Sequence, residues 1–81
     1  MTELEQLFNL LDSMDQDYSI PRNVRRRVEN VKKILSDESV PKDLRKANAL
    51  EILDDLANDP NVPMHARSLI WNAMGQIEAF A

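Results

Sequence analysis

The side chains most often used for catalysis are scarce in this 81-residue sequence, which has one histidine and no cysteine. His65 lies two residues after Pro63, a position expected in the first turn of a helix. It has no serine and aspartate at a spacing that matches nucleophilic catalysis, no Glu-x-x-His partner and no metal-ligand spacing. We therefore interpret His65 as a surface or capping residue. We predict no catalytic residue, no metal ligand and no cofactor, and expect that the protein is not an enzyme.

An aspartate and an arginine eight residues apart recur three times, and each pair encloses a branched apolar residue followed by proline. Because proline suits the start of a helix, the carboxylate should lie in the turn before it and the guanidinium one turn inside it. The arginine could bind the aspartate, the carbonyls of the turn, or the next unit. We interpret the set as a structural turn motif, and the alternative is a row of arginines for an anionic partner. The motif residues are Asp17, Pro21, Arg25, Asp37, Pro41, Arg45, Asp59, Pro63 and Arg67.

Cations cluster in the second predicted helix, opposite its valines. Glu29 interrupts the cluster at a spacing that suits an ordinary ion pair with Lys33. The face is therefore either solvated or a contact for an acidic protein or a nucleic acid. A formal charge of −4 and a pI near 4.8 oppose general binding to polyanions. The candidate polyanion contacts are Arg22, Arg25, Arg26, Lys32 and Lys33.

Trp71 lies off the apolar stripe of the fourth predicted helix, on the side that carries Met64 and Gly75. One interpretation packs the indole on the first helix or the C-terminal tail. The other makes it the anchor of a homodimer or partner interface, where tryptophan is enriched. Gly75 would let another backbone approach closely. We take Trp71, Met64 and Gly75 as a candidate interface.

The elements that must position these residues are duplicated, because residues 10–35 align with residues 52–77 at an offset of 42 without a gap. A period of about 40 to 47 residues is typical of two-helix HEAT or armadillo units. We therefore predict two repeat units, at about residues 1–35 and 43–77. Identical pairs are Leu11 and Leu53, Asp12 and Asp54, Asp17 and Asp59, Pro21 and Pro63, Arg25 and Arg67, and Asn30 and Asn72.

Apolar spacing and helix-start signals predict four helices joined by short connections. The first should begin at Thr2, with Glu5 completing a capping box, and end near Asp15. Ser19 is expected to cap the second. Two units are too few for an open solenoid, so we predict an all-α, up-and-down four-helix bundle built from two tandem hairpins. The third helix, with the widest apolar stripe, should be central and the most completely buried.

Length and composition suit one globular helical domain over residues 1–81, with 43% hydrophobic and 30% charged residues. No apolar run approaches the roughly 18 residues of a membrane span. Residues 1–6 are acidic and polar, unlike a targeting peptide. The absence of cysteine is compatible with a reducing compartment. We therefore expect a cytoplasmic protein with no membrane partner.

Two segments resemble a small archaeal family of uncharacterised all-helical proteins. The first is Ile20-Pro21-Arg22-Asn23-Val24-Arg25, and the second is residues 59–67 followed by Ile70-Trp71-Asn72. The resemblance implies a helical bundle in an archaeal cytoplasm, and it carries no activity, substrate or cofactor. A looser similarity to HEAT units rests on the period and on the Pro-x-x-apolar-Arg helix start.

Three functions fit the residues, in decreasing order of support. The first is a non-catalytic protein–protein interaction module or small adaptor, with an unidentified protein partner or self-association. The second is a nucleic-acid-associated protein that uses the cationic face of the second helix. The third is an enzyme with an inconspicuous carboxylate site between helices.

Overall fold

The computed structural model describes residues 3–80, which form four α-helices and no strand. This confirms the predicted all-α class. The predicted start of the first helix at Thr2 lies outside the described residues, and its predicted end at Asp15 is confirmed. The helices are α1 (Glu3–Asp15), α2 (Arg22–Ser36), α3 (Lys42–Ala57) and α4 (Met64–Ala79).

The helices close into a four-membered ring. Within residues 3–80, α1 packs on α2 and α4, and α3 packs on the same two helices, without contact across either diagonal. Arg27 near the start of α2 pairs with Asp55 near the end of α3, so these helices are antiparallel. Lys46 likewise reaches from the start of α3 to the carbonyl oxygen of Phe80, just after α4. The predicted bundle of two tandem hairpins is confirmed.

One continuous apolar core fills the ring, and no polar or charged side chain of the described residues is buried in it. The predicted stripe of α2 is buried along its whole length. In α4, Ala66, Ile70, Ala73 and Ile77 are buried, whereas Leu69 and Met74 are half-buried. In α1, Leu4 is 48% exposed, because it lies at the start of the helix. The largest fully buried side chains include Leu7, Leu11, Met14, Ile20, Leu53, Leu56, Ile70 and Ile77.

The prediction that α3 is central and the most completely buried is wrong. Every helix has two neighbours in the ring, and α3 buries three residues where α2 and α4 each bury four. The apolar residues of α3 are spread around its circumference, so only one face can reach the core. Leu44 is 51% exposed, and Leu50 and Ile52 are half-buried.

The carbonyl oxygen of each proline of the structural turn motif accepts a hydrogen bond at the start of a helix. Pro21, Pro41 and Pro63 each immediately precede a helix, and each carbonyl oxygen accepts a hydrogen bond from the backbone N–H of the arginine four residues later, at 3.0–3.1 Å. The predicted cap by Ser19 is wrong, since α2 has no side-chain cap. Pro21 occupies the cap position, and the Ser19 side chain bonds within the turn instead.

Candidate functional site

The three turns that precede α2, α3 and α4 share one construction. In the first, Asp17 Oδ1 accepts hydrogen bonds from the backbone N–H of Ser19 at 2.9 Å and from its hydroxyl at 2.6 Å. The carbonyl oxygen of Asp17 accepts the backbone N–H of Ile20 at 3.0 Å. This is the local aspartate turn that competes with helix continuation. The same pattern joins Asp37 to Ser39 and Val40, and Asp59 to Asn61 and Val62.

The motif arginines bind carbonyl oxygens of the chain, one of the alternatives that the spacing left open. Arg25 Nε donates to Ile20 at 3.1 Å, and Arg45 donates to Leu35 at 3.1 Å. Arg67 donates to Asp59 at 2.8 Å and to Val62 at 3.4 Å. Each guanidinium thus donates to a carbonyl oxygen of a turn or, for Arg45, of the last turn of α2. Because these donors are engaged internally and half-buried, the arginines do not form a free row for an anionic partner.

The carboxylates of Asp17 and Asp37 are held in their charged form. Hydrogen bonds from Ser19 lower the pKa of Asp17, and those from Ser39 lower the pKa of Asp37. A lowered pKa in the folded state means that the turns stabilise the fold above the unfolded pKa. That contribution is lost as the pH falls through the lowered folded values. Neither carboxylate is buried, so the effect on total stability is small.

The structure brings His65 against the first turn, a contact that no local pattern in the sequence predicts. Its Nε2 lies 3.0 Å from Ser19 Oγ and 3.4 Å from Asp17 Oδ2. The signal that could have found it is topological: in an up-and-down bundle, the first and third turns lie at the same end. The contact therefore ties the α1–α2 turn to the start of α4.

This Ser-His-Asp contact does not have the geometry of a catalytic triad. A triad places the carboxylate on one ring nitrogen and the hydroxyl on the other. Here both lie against Nε2, and the Ser19 hydroxyl donates to Asp17. All three side chains lie at the surface rather than in a cleft. The arrangement links two turns without activating a nucleophile.

The candidate polyanion residues of α2 do not act as one set. Lys32 Nζ lies 2.8 Å from Asp12 and 3.3 Å from Asp15, and the hydrogen bond that Lys32 donates to Asp12 raises the pKa of Lys32. This lysine therefore joins α1 to α2. The guanidinium carbon of Arg25 lies 4.8 Å from the centre of the exposed Tyr18 ring, and Arg25 Nε donates to the carbonyl oxygen of Ile20 in the turn.

The remaining three cations lie on the outside of α2. Lys33 Nζ is 3.8 Å from Glu29, the predicted i,i+4 pair. Within residues 3–80, Arg22 and Arg26 are exposed and have no hydrogen bond or ion pair. Two unpaired arginines therefore remain of the five candidates.

The α2 surface has a shallow depression of about 280 Å³ lined by Glu29, Lys32, Lys33 and Ser36. Three of these four side chains, Glu29, Lys32 and Lys33, are already in ion pairs. Over residues 3–80, no three His, Asp or Glu side chains form a group suited to a metal. No helix in that range is long and apolar enough to cross a membrane.

The outward surface of α4 gathers two large apolar side chains. Met64 is 65% exposed and Trp71 is 55% exposed, so half of the indole is free of its own chain. The spacing of four, three, four and three residues puts five positions on one side, nearly opposite the buried stripe. We call these the α4 outer face: Met64, Ser68, Trp71, Gly75 and Glu78.

Gly75 serves no need of the folded chain. A Cβ atom built on it would meet nothing within 4 Å, and the backbone has no positive φ there. Glycine inside a helix costs roughly 0.5–1 kcal/mol relative to alanine. Neither local conformation nor packing within the described chain requires this residue.

Comparison with known proteins shows that this chain is similar to the members of one family. A model described as an uncharacterised protein family, UPF0147, matches residues 1–80. A UPF0147 protein of Methanosarcina acetivorans is 48% identical over 75 residues, which cover 93% of this chain and 77% of the relative. One of Thermoplasma volcanium is 43% identical, with 95% and 91% covered.

A crystal structure of a UPF0147 protein from Thermoplasma acidophilum has a TM-score of 0.92 against this fold. It is 39% identical, and the match covers 98% of this chain and 93% of that one. The predicted resemblance to an uncharacterised archaeal family is confirmed. The names of these relatives assign no activity.

Proposed function

This chain belongs to UPF0147, a family of uncharacterised archaeal proteins, and from its own geometry we propose that it is a non-catalytic protein–protein interaction module or small adaptor. Its binding surface is the α4 outer face. The structural turn motif fixes where the helices of the scaffold begin. It consists of Asp17, Pro21 and Arg25 and of the two equivalent sets before α3 and α4. The chain works in the cytoplasm as one domain over residues 1–81.

The exposure of Trp71 is the observation that carries this proposal. Five large hydrophobic residues of the described chain are exposed, and α4 holds two of them, Met64 and Trp71. The others are isolated on α1, α3 and a turn. Tryptophan buries a large area at little entropic cost, which is why it is enriched among residues that dominate binding energy.

The duplication provides an internal comparison for this surface. The 42-residue offset places Arg22, Arg26, Glu29, Lys33 and Ser36 at the positions of the α4 outer face. Both sets lie on the outside of the same scaffold. Four of these α2 residues are charged, whereas Glu78 is the single acidic or basic residue of the α4 set. The outer faces of the two repeat units therefore differ in chemistry, although the scaffold does not require them to differ.

Nucleic-acid association through α2 is the second candidate. Its support is the exposed pair Arg22 and Arg26, which could contact about two phosphates. Each phosphate contact adds only about 0.9 to the salt slope of binding to duplex DNA, so such binding would be weak at physiological salt. Lys32 is held by Asp12 and Asp15 and is not free to contact a phosphate. Nucleic-acid association therefore has less support than the interaction function.

Site-specific photocrosslinking tests the proposed surface. We replace Met64 with p-benzoylphenylalanine, which leaves Trp71 in place, and irradiate cells that express the chain natively. A discrete protein adduct is expected, because Met64 lies on the same face as Trp71. Adding Trp71→Glu should abolish the adduct, since a charge replaces the anchor. Mass spectrometry of the adduct gives the mass of the partner.

The matched control puts the same photoreactive residue at Arg22, the equivalent position on α2. We expect no discrete adduct there. Adducts of equal yield at both positions, or an adduct at position 64 that survives Trp71→Glu, would contradict an interaction surface on α4.

A further inference from the structure

We propose that the partner of the α4 outer face is a second copy of this chain, docked with its α4 antiparallel to the first. The inference rests on the proposed interaction function and specifies the occupant of that surface. It follows from the spacing of the face, from Gly75 and from the distribution of charge.

The α4 outer face has the spacing of a helix–helix seam. Its residues are separated by four, three, four and three positions, the heptad pattern of a and d positions in coiled coils. The buried stripe on the other side of α4 begins with the same four-three-four spacing, Ala66, Ile70, Ala73 and Ile77. One side of the helix packs against its own bundle, and the other has the same geometry without a partner in the described chain.

The central part of this seam is self-complementary when one copy is reversed. The steps from Ser68 to Trp71, Gly75 and Glu78 are three, four and three, which read the same in both directions. An antiparallel partner therefore places Trp71 opposite Gly75 and Ser68 opposite Glu78, twice about one two-fold axis. A self-complementary patch is what a two-fold interface requires.

Each opposed pair is chemically matched. The large indole of Trp71 meets the position with no side chain, so a knob enters a hole. The Ser68 hydroxyl can donate to the Glu78 carboxylate of the second copy, a charge-assisted hydrogen bond. In this register Met64 lies just past the end of the partner's α4, which ends at Ala79. The pairing gives Gly75 a role that the isolated chain does not.

The distribution of charge favours self-association through the α4 outer face over self-association through the equivalent face of α2. The chain has a formal charge of −4, and two copies repel each other in general. On α2, the equivalent seam would bring Arg26 opposite Ser36 and Glu29 opposite Lys33, with Arg22 at its end. Burying those four charged side chains carries a desolvation cost. The α4 face has a single carboxylate, at the position that meets a hydroxyl.

The dimer is expected to be weak. The helix has 16 residues and is about 24 Å long. One helix face of this length is smaller than a standard interface, which buries about 800 Å² on each partner. We therefore expect a dimer whose population rises with concentration across the range used for cross-linking.

Disulfide trapping tests the register, because the chain has no cysteine of its own. Full-length Ser68→Cys and isotopically labelled Glu78→Cys are mixed in equal amounts and oxidised. The antiparallel register places positions 68 and 78 side by side. It separates 68 from 68, and 78 from 78, by about 15 Å, too far for a disulfide. The mixed disulfide should exceed either symmetric product several-fold.

Two controls separate specific docking from collision. Arg26→Cys with Ser36→Cys repeats the experiment at the equivalent α2 positions, and only statistical products are expected. Gly75→Leu added to both α4 variants should abolish the mixed disulfide because it fills the hole. Far-UV circular dichroism checks its fold, which we expect to be retained since nothing lies within 4 Å of a Cβ there.

Three results would overturn the inference: symmetric disulfides in excess, an unchanged mixed product with Gly75→Leu, or no disulfide above the α2 control at any soluble concentration. If disulfides fail but the photoadduct at position 64 contains another protein, the interaction function stands and the self-partner is wrong. If both experiments give nothing, both proposals fail.

Discussion

Leu53→Ala is expected to lower the free energy of unfolding by about 2–5 kcal/mol, the range for deleting a buried leucine side chain. Leu53 is fully buried on the core side of α3. The loss is a large share of the total, since a chain of this size is stabilised by roughly 4–12 kcal/mol. Urea denaturation followed by circular dichroism measures the change.

The matched control is Leu44→Ala on the same helix, where the side chain is 51% exposed. We expect a change within about 0.5 kcal/mol, as for surface substitutions in general. Equal losses for the two variants would contradict the packing of α3, because they would place Leu44 in the core.

Arg67→Met is expected to cost about 1–3 kcal/mol. The substitution keeps an apolar side chain but removes the donors to the carbonyl oxygens of Asp59 and Val62. Hydrogen bonds made by a charged group contribute about 1.5–3 kcal/mol, and the partial exposure of this site reduces that value. The same urea titration measures it.

Arg26→Met controls for the loss of one positive charge. Within residues 3–80 Arg26 has no hydrogen bond or ion pair, so this variant should lie within about 0.5 kcal/mol of the unsubstituted chain. If Arg26→Met is as destabilising as Arg67→Met, the carbonyl contacts do not account for the recurrence of arginine in the turns.

The fold was largely predictable because its signals are local and repeated. The helical spacing of apolar positions predicts the buried faces of α2 and α4. The prolines predict the helix starts to within one residue. The prediction of a helix cap failed at Ser19, where two local partners compete. Ser19 has the chemistry of a helix cap, but Asp17 is a closer acceptor for its hydroxyl and Pro21 already occupies the cap position.

Contacts between distant parts of the chain were the hardest to predict. The α2 cations looked like one face, yet Lys32 is turned toward Asp12 and Asp15 of α1. The contact between His65 and Ser19 spans 46 positions, beyond any local pattern. Burial of α3 was overestimated because apolar content alone does not give the direction of a side chain.

The central claim is that the fold leaves Trp71 free for a partner, and collisional quenching of its fluorescence tests this directly. Trp71 is the single tryptophan, so the emission reports on it alone. In dilute solution, acrylamide should quench the folded chain at roughly half the rate measured for the urea-unfolded chain, in keeping with the 55% exposure. Near-complete protection in the dilute, folded monomer would contradict the account, because the indole would then be packed in its own chain.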